Sequence, residues 1–182
     1  MRKIAASNRF VFAAEEETEE EEVEESSDEE EASSDSDVLR HHLTKLLALL
    51  RAQYMSYQTS HWVSAGDSGY AHHLLFQRLY ESIAEQIDTL AEKMVGNIDA
   101  ESVALDEQMD LMKDFCDSWC SEENLFERGL KSEEEMQAAF KEAYDELQKA
   151  GELSLGMDDY LMATASEHDT NIYLLQQAVD KE

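Results

Sequence analysis

Proline is absent from this 182-residue sequence, and cysteine occurs only twice. Because strong helix formers dominate and no proline interrupts them, the composition predicts an all-α protein. The length suits one ordinary domain, and 42% apolar residues can supply its core. The apolar cluster near the N-terminus is too short for a secretory signal, and we expect no membrane segment.

Basic residues are also scarce. Lys and Arg total 14 against 43 Asp and Glu, so the formal net charge is −29. Residues 1–37 contribute −12 and residues 38–182 contribute −17. Both parts would repel DNA phosphates and attract cations, so DNA binding is not expected.

The N-terminal region has two parts that differ in charge. Met1 to Ala14 is mildly basic and could be a docking peptide for a larger assembly, a transit peptide or a frayed end. Glu15 to Asp37 is a low-complexity acidic and serine run whose charges repel one another. We therefore expect residues 1–37 to be a disordered extension and residues 38–182 to be the folded domain.

Apolar residues at helical spacing predict four long helices and one short helix. The expected ranges are 38–63, 68–95, 103–119, a third long helix ending near 150, and 157–179. Gly96 and Gly151 are the expected ends of the second and third long helices. The start of the third is ambiguous, because Ser132 to Glu135 has the form of a capping box and Gly129 could mark a kink or a break.

The two cysteines lie one turn apart on the short helix, at Cys116 and Cys120. Such positions are poorly placed for a disulfide, and two cysteines are too few for a structural zinc site. We expect free thiols, as in a reducing, cytoplasmic compartment.

The candidate metal ligands concentrate in the first two helices. His61 lies shortly before the Gly66 to Gly69 joint and His73 shortly after it, so antiparallel helices place both imidazoles at the same height. On the second helix, His73 pairs with Gln77, and Asp88 pairs with Glu92, at i, i+4.

These ligands are too far apart for one chain to bring them together. From His73 to Asp88 the helix rises roughly 22 Å. Two copies of the helix laid antiparallel, crossing near Glu81 and Ser82, would set the histidines and Gln77 of one copy against Asp88 and Glu92 of the other. An isologous contact must create two such sites per dimer.

This pattern resembles the signature of the Dps family, the starvation-type mini-ferritins. The matching residues are His61-Trp62, Gly66, Tyr70, His73, Leu75-Phe76 and Asp88-x-x-x-Glu92-Lys93. The resemblance covers residues 38–180. It implies a ferritin-like four-helix bundle with a short extra helix between the second and third helices, assembled as a hollow homododecamer.

The resemblance also implies a chemistry. Ferroxidase centres at the dimer two-folds would oxidise Fe(II) to Fe(III) with hydrogen peroxide or oxygen and store the ferric mineral inside, protecting against oxidative damage. His61, His73, Asp88 and Glu92 would be the catalytic ligands, with Glu92 as the bridging or principal one. Imidazole and carboxylate groups suit Fe(II).

Gln77 departs from the family pattern, which has an acid there. An amide keeps a neutral oxygen but loses a charge, so a second iron should bind weakly. Among neighbouring residues, Trp62 and Tyr70 are expected to be core aromatics and His72 a surface residue. His168 lacks a glutamate three residues earlier, so the Glu-x-x-His pair of intrasubunit di-iron bundles is absent there.

We therefore predict an iron-oxidising mini-ferritin. One alternative is a structural or assembly-associated shell protein with a degenerate site, attached to a particle or organelle through Met1 to Ala14. Another is a monomeric four-helix module that binds a partner. That alternative is disfavoured because it leaves the spacing of the four matching ligands to coincidence.

Overall fold

The computed structural model describes residues 26–179, with side chains from residue 37 onward. The described residues form five α-helices and contain no strand, which confirms the all-α class. The helices are α1 (Ser26–Val63), α2 (Gly69–Asn97), α3 (Leu105–Trp119), α4 (Leu125–Ala150) and α5 (Leu155–Val179), with a 3₁₀-helix at Ala100–Val103 before α3. The long helices are α1, α2, α4 and α5, and α3 is the short extra helix.

The first helix begins at Ser26, well before the expected start at Val38. The first buried side chain among those described is Leu39. The rest of the predicted disordered extension, including Met1 to Ala14, lies outside the described residues.

A short turn reverses the chain between α1 and α2. Gly66 adopts φ +88°, a conformation that L side chains rarely take, and its carbonyl accepts a hydrogen bond from the Gly69 amide at 3.0 Å. The turn makes the two helices antiparallel neighbours, so His61 and His73 lie at the same end of the bundle.

Leucine-rich stripes from the long helices meet in one core. On α1 and α2 the fully buried members follow the predicted helical spacing; they are Leu43, Leu46, Leu47, Leu50, Tyr57, Phe76, Leu79, Ile83, Leu90 and Met94. The other long helices and α3 add Phe140, Leu147, Leu161, Leu175 and Trp119. The periodicity of the sequence thus placed most of the core correctly.

The fourth helix, α4, resolves the ambiguity at Ser132. It begins after Asn124, whose side chain accepts hydrogen bonds from the amides of Phe126 and Glu127, and it runs without a break through Gly129 and Ser132. The capping-box and break interpretations are therefore both wrong. The predicted end at Gly151 is confirmed, with φ +76°, whereas α2 continues one residue past Gly96 to Asn97.

Gly129 is in the helix because neighbouring side chains come close to it. A Cβ at this position would lie 3.1 Å from Leu175 Cδ2 and 3.3 Å from Tyr57 Cε1. Real Cβ atoms rarely make contacts this short, so a larger residue at this position would require the Leu175 or Tyr57 side chain to shift.

Candidate metal site and buried polar network

His61 and His73 form a reciprocal pair at the α1–α2 end of the bundle. His61 Nδ1 lies 2.9 Å from the carbonyl oxygen of His73, and His73 Nδ1 lies 2.9 Å from the carbonyl oxygen of His61. The rings stack with their centroids 3.7 Å apart. The predicted juxtaposition of these two imidazoles is therefore present within one chain.

The acceptors in this pair decide which nitrogen carries hydrogen. A carbonyl only accepts hydrogen bonds, so each Nδ1 must donate, and a neutral ring then keeps its lone pair on Nε2. Metal-binding histidines are commonly oriented in this way by a hydrogen bond from the other nitrogen. Both side chains are only half-buried, so the pair offers two oriented nitrogen ligands at an accessible position.

Asp88 and Glu92 lie elsewhere on α2. Both are exposed, and α2 is a continuous helix, so the rise from His73 to Asp88 is roughly 22 Å. Within the described part of the chain, no group of three or more His, Cys, Asp and Glu side chains could hold a metal ion. A site that uses both the histidines and these acids thus needs a second chain, and that sharing stays a prediction.

The Gln77 side chain makes a hydrogen bond that was not predicted from the sequence. Its Nε2 donates to Glu81 Oε1 at 2.8 Å, one turn further along α2. The amide is thereby oriented, and a carboxylate lies beside the position where the family pattern has an acid. The i, i+4 spacing of the two residues was the available signal.

Two aromatic residues of the signature are not in the core. Trp62 is 67% exposed and Tyr70 is 77% exposed, so the prediction that both are core aromatics is wrong. Trp62 lies near the end of α1 and Tyr70 near the start of α2, on either side of the turn. His72 is less exposed than expected, because its ring packs edge-on against Phe126 with centroids 4.6 Å apart.

A second polar cluster lies inside the bundle, with contributions from each long helix. The Tyr57 hydroxyl donates to Glu133 Oε1 at 2.5 Å, and His168 Nδ1 lies 2.5 Å from Glu133 Oε2. Tyr57, Glu133 and His168 are all fully buried. Burial, followed by the nearby Glu133 charge, raises the pKa of Tyr57 well above its usual value.

The cluster continues from His168 toward α2 and the surface. His168 Nε2 lies 3.1 Å from Gln86 Oε1, and Gln86 Nε2 donates to Glu167 Oε2 at 2.7 Å. Both His168 nitrogens therefore face oxygen acceptors, one on Glu133 and one on Gln86. Glu167 is exposed at the mouth of a cavity of about 470 Å³ between α2 and α5.

The sequence analysis did not predict this network, although polar residues at core positions of the helices indicate it. Gln86 falls three residues after Ile83 and four before Leu90, where the apolar stripe requires a buried side chain. Gln53 and Glu133 occupy similar positions on α1 and α4. Polar side chains at core positions need hydrogen-bond partners, and in this bundle they hydrogen-bond to other buried polar side chains.

The cysteines are free, as expected. Cys116 is half-buried and Cys120 is exposed. Burial raises the pKa of the Cys116 thiol, with a smaller contribution from neighbouring Cys120.

None of the described helices combines the length and apolarity that crossing a membrane requires.

Solved structures that share this fold include three Dps proteins. Dps from Thermosynechococcus elongatus superimposes with a TM-score of 0.68 at 18% identity, covering 82% of this chain and 94% of that one. DpsC from Streptomyces coelicolor gives 0.66 at 20% identity, with coverages of 80% and 86%. A Vibrio cholerae O1 DPS protein, described as a member of a broad superfamily of ferritin-like diiron-carboxylate proteins, gives 0.66 at 16% identity, with coverages of 81% and 92%.

These similarities confirm that the chain has the Dps type of ferritin-like fold expected from the sequence resemblance. No family model and no curated protein matches the sequence. At these identities the likeness concerns the fold, and the chemistry must be argued from the residues described above.

Proposed function

We propose that this protein is a mini-ferritin that binds Fe(II) between two copies of the chain, oxidises it and stores the ferric product in a hollow shell. The reaction would consume hydrogen peroxide or oxygen and so protect against oxidative damage. A homododecamer in the cytoplasm, free or attached to a particle, is the proposed form.

The reciprocal histidine pair carries this proposal. It presents two nitrogen ligands, and each Nδ1 is committed to a carbonyl so that each Nε2 remains for the metal. Imidazole nitrogen together with carboxylate oxygen is a suitable ligand set for Fe(II), and carboxylates also stabilise Fe(III). His61 and His73 would hold the iron from one chain, with Gln77 as a neutral third ligand.

The exposed face of α2 supports a second copy as the source of the acids. Asp88 and Glu92 share this face with Tyr70, Leu74 and Val95, three large apolar side chains that are 44% exposed or more. A two-fold partner crossing near the middle of α2 would cover these apolar groups. The same partner would bring its own copies of the two acids to the histidines.

The charge distribution supports cation uptake rather than DNA binding. Residues 38–182 carry a net charge of −17, which raises the local concentration of Fe(II) and repels phosphate. Ferric oxide would nucleate on acidic inner surface of the shell. The nucleoid-binding role of the family is not proposed here.

A structural shell protein with a degenerate site is the second candidate. Gln77 favours it, because the amide removes a negative charge where the family pattern has an acid. In that case the shell would assemble, and Met1 to Ala14 would attach it to a particle, without iron turnover.

Mixed dimers test the sharing of ligands directly. One variant, His61→Ala with His73→Ala, keeps the acids, and a second, Asp88→Asn with Glu92→Gln, keeps the histidines. Each alone should lose Fe(II)-dependent absorbance growth. A co-expressed mixture should regain activity, because each mixed dimer contains one complete site.

The controls separate the hypotheses. Sedimentation verifies that every variant still assembles, and the two pure variants mixed without subunit exchange should stay inactive. If co-expression restores nothing although mixed dimers form, the intersubunit site is wrong. If the unmodified shell assembles but never oxidises iron, the structural candidate is favoured. An anomalous map of iron-soaked crystals would identify the chain that supplies each ligand.

A further inference from the structure

Cys116 and Cys120 lie on the same face of α3, and the function proposed above does not use them. The helix keeps its geometry through both residues, because Cys120 has right-handed helical backbone angles and its amide donates to the Cys116 carbonyl at 2.8 Å. At i, i+4 the two Cβ atoms are therefore about 5–6 Å apart. Both thiols are free, with Cys116 half-buried and Cys120 exposed.

This spacing is too wide for a disulfide but suits a metal ion held between the two sulfur atoms. The Cβ atoms of a disulfide are about 3.5–4.5 Å apart. An ion between two thiolates adds two metal–sulfur bonds, each about 2.3 Å long for zinc, so the sulfur atoms can be as much as about 4.6 Å apart. The geometry thus favours a bridging ion over a covalent sulfur–sulfur bond.

The protonation of the pair also disfavours a redox role. Burial, followed by the nearby Cys120 group, raises the pKa of the Cys116 thiol. The thiolate is the form that reacts with oxidants and disulfides, so a thiol that stays protonated is a poor sensor. A metal ion overcomes the same barrier directly, because a coordinating thiol is deprotonated by the ion itself.

Met112 adds a third sulfur one turn before the pair. Residues 112, 116 and 120 follow one another at i, i+4 and i+8, so they form a stripe of sulfur-bearing side chains along α3. Met112 and Cys116 are both partly buried and pack against the edge of the core. The stripe therefore combines two thiols with a neutral thioether.

These donors select a soft ion. Within the part of the chain that the structure describes, no further His, Cys, Asp or Glu joins the two cysteines in a group that could hold a metal ion. Structural zinc needs four ligands, and Fe(II) is better served by imidazole and carboxylate. Thiolate and thioether ligands favour Cu(I), which two or three sulfur atoms can bind stably.

We propose that Cys116 and Cys120 form a Cu(I)-binding site on α3, with Met112 as an auxiliary ligand. One Cu(I) and two thiols give one copper dithiolate and two protons, which go to solvent, and copper keeps its oxidation state. Copper binds nitrogen and oxygen ligands more tightly than iron does, so a separate sulfur site would keep it away from the histidine pair. That consequence rests on the proposed function, whereas the copper site itself does not.

The test is an anaerobic titration of the assembled full-length protein, reduced and free of metal, with Cu(I) in the presence of the coloured chelator bicinchoninate. The unmodified protein should remove one Cu(I) per chain from the chelator. Cys116→Ser and Cys120→Ser should each lower the affinity by more than about tenfold, since even a residue that only supports a ligand is worth that much. Met112→Leu should lower it less and keep the stoichiometry. X-ray absorption of the complex should show sulfur ligands only.

Matched variants separate this site from other copper ligands. Met162→Leu removes a methionine that is 60% exposed on α5 and should change nothing. The double variant His61→Ala, His73→Ala removes the nitrogen ligands of the proposed iron site and should leave the copper affinity unchanged. Conversely, Cys120→Ser should leave Fe(II) oxidation unchanged, so the two sites can be lost independently.

Any of four results would overturn the copper site. They are full copper affinity in Cys120→Ser, loss of affinity in the double histidine variant, nitrogen or oxygen ligands in the absorption spectrum, and half a copper ion per chain, which would place the ion between two copies. Because Cys120 is exposed, Cys120→Ser should fold normally, and thermal melting checks this. If Cys116→Ser is unfolded, Cys120→Ser decides the test. Fe(II) oxidation is measured on the same samples, so failure of the iron proposal is recorded separately.

Discussion

The Nδ1 atom of His61 donates to the carbonyl of His73, and the Nδ1 atom of His73 donates to the carbonyl of His61, each at 2.9 Å. The main-chain carbonyl of each histidine thus orients the ring of the other histidine. The arrangement requires α1 and α2 to be antiparallel and in this register, which the turn at Gly66 provides. The two candidate ligands are therefore oriented by contacts within one chain.

Replacement of His61 by alanine should weaken iron binding, because it removes one nitrogen ligand and the stacking partner of the His73 ring, although the His61 carbonyl that accepts from His73 Nδ1 remains. We expect Fe(II) affinity to fall by at least about tenfold, since even the loss of a residue that only supports a metal ligand costs about that much. His72→Gln is the control, since that ring packs on Phe126 instead. Equal affinities of the His61→Ala and unmodified proteins, measured by Fe(II) titration, would contradict the site.

Replacement of Gln77 by aspartate should create a second firm iron position. The substitution restores a negative charge beside the His73 ring and removes the amide that donates to Glu81. The expected result is a higher ratio of tightly bound iron per subunit, because the carboxylate supplies a charged ligand that the amide lacks. Unchanged iron stoichiometry in equilibrium dialysis would show that Gln77 does not limit the site.

Replacement of Gly129 by alanine should destabilise the bundle. The added Cβ meets Leu175 at 3.1 Å and Tyr57 at 3.3 Å, and overpacking costs about 1–3 kcal/mol, partly offset by alanine's higher helix propensity. Gly96→Ala is the matched control: nothing lies within 4 Å of its Cβ, so we expect stabilisation by about 0.5 kcal/mol. Chemical denaturation of both variants measures the difference, and equal stabilisation by both would contradict the close approach.

The His42 side chain should make stability depend on pH. Burial, followed by neighbouring His41, lowers the pKa of His42 from its usual 6.5, although Glu142 and Glu146 oppose the shift. Below pH 6.5 the unfolded chain therefore takes up the proton first, and the free energy of unfolding falls as the pH decreases through that window. His42→Gln should show a shallower decline in thermal melts between neutral and mildly acidic pH. An identical slope would show that His42 is protonated equally in both states.

Much of the fold followed from local physical chemistry. Helical spacing of Leu43, Leu47 and Leu50, the absence of proline and the glycines at turns determined the helices and most of the core. The ends of the helices were harder to predict, because they depend on capping residues. Ser132 has the sequence pattern of a cap, yet Asn124 is the residue that caps α4. A cap needs a free helix end, and packing along α4 decides where that end lies.

The sequence by itself determined the all-α class, the acidic charge and the spacing of the candidate ligands along α2, because these depend on composition and helical rise alone. Only the tertiary structure decided that Trp62 and Tyr70 are exposed, that His61 and His73 hydrogen-bond through each other's main chain, and that Tyr57, Glu133 and His168 meet inside the bundle. Those relationships join residues on different helices. They depend on how the helices are rotated and how closely they approach, which periodicity along a single helix does not specify.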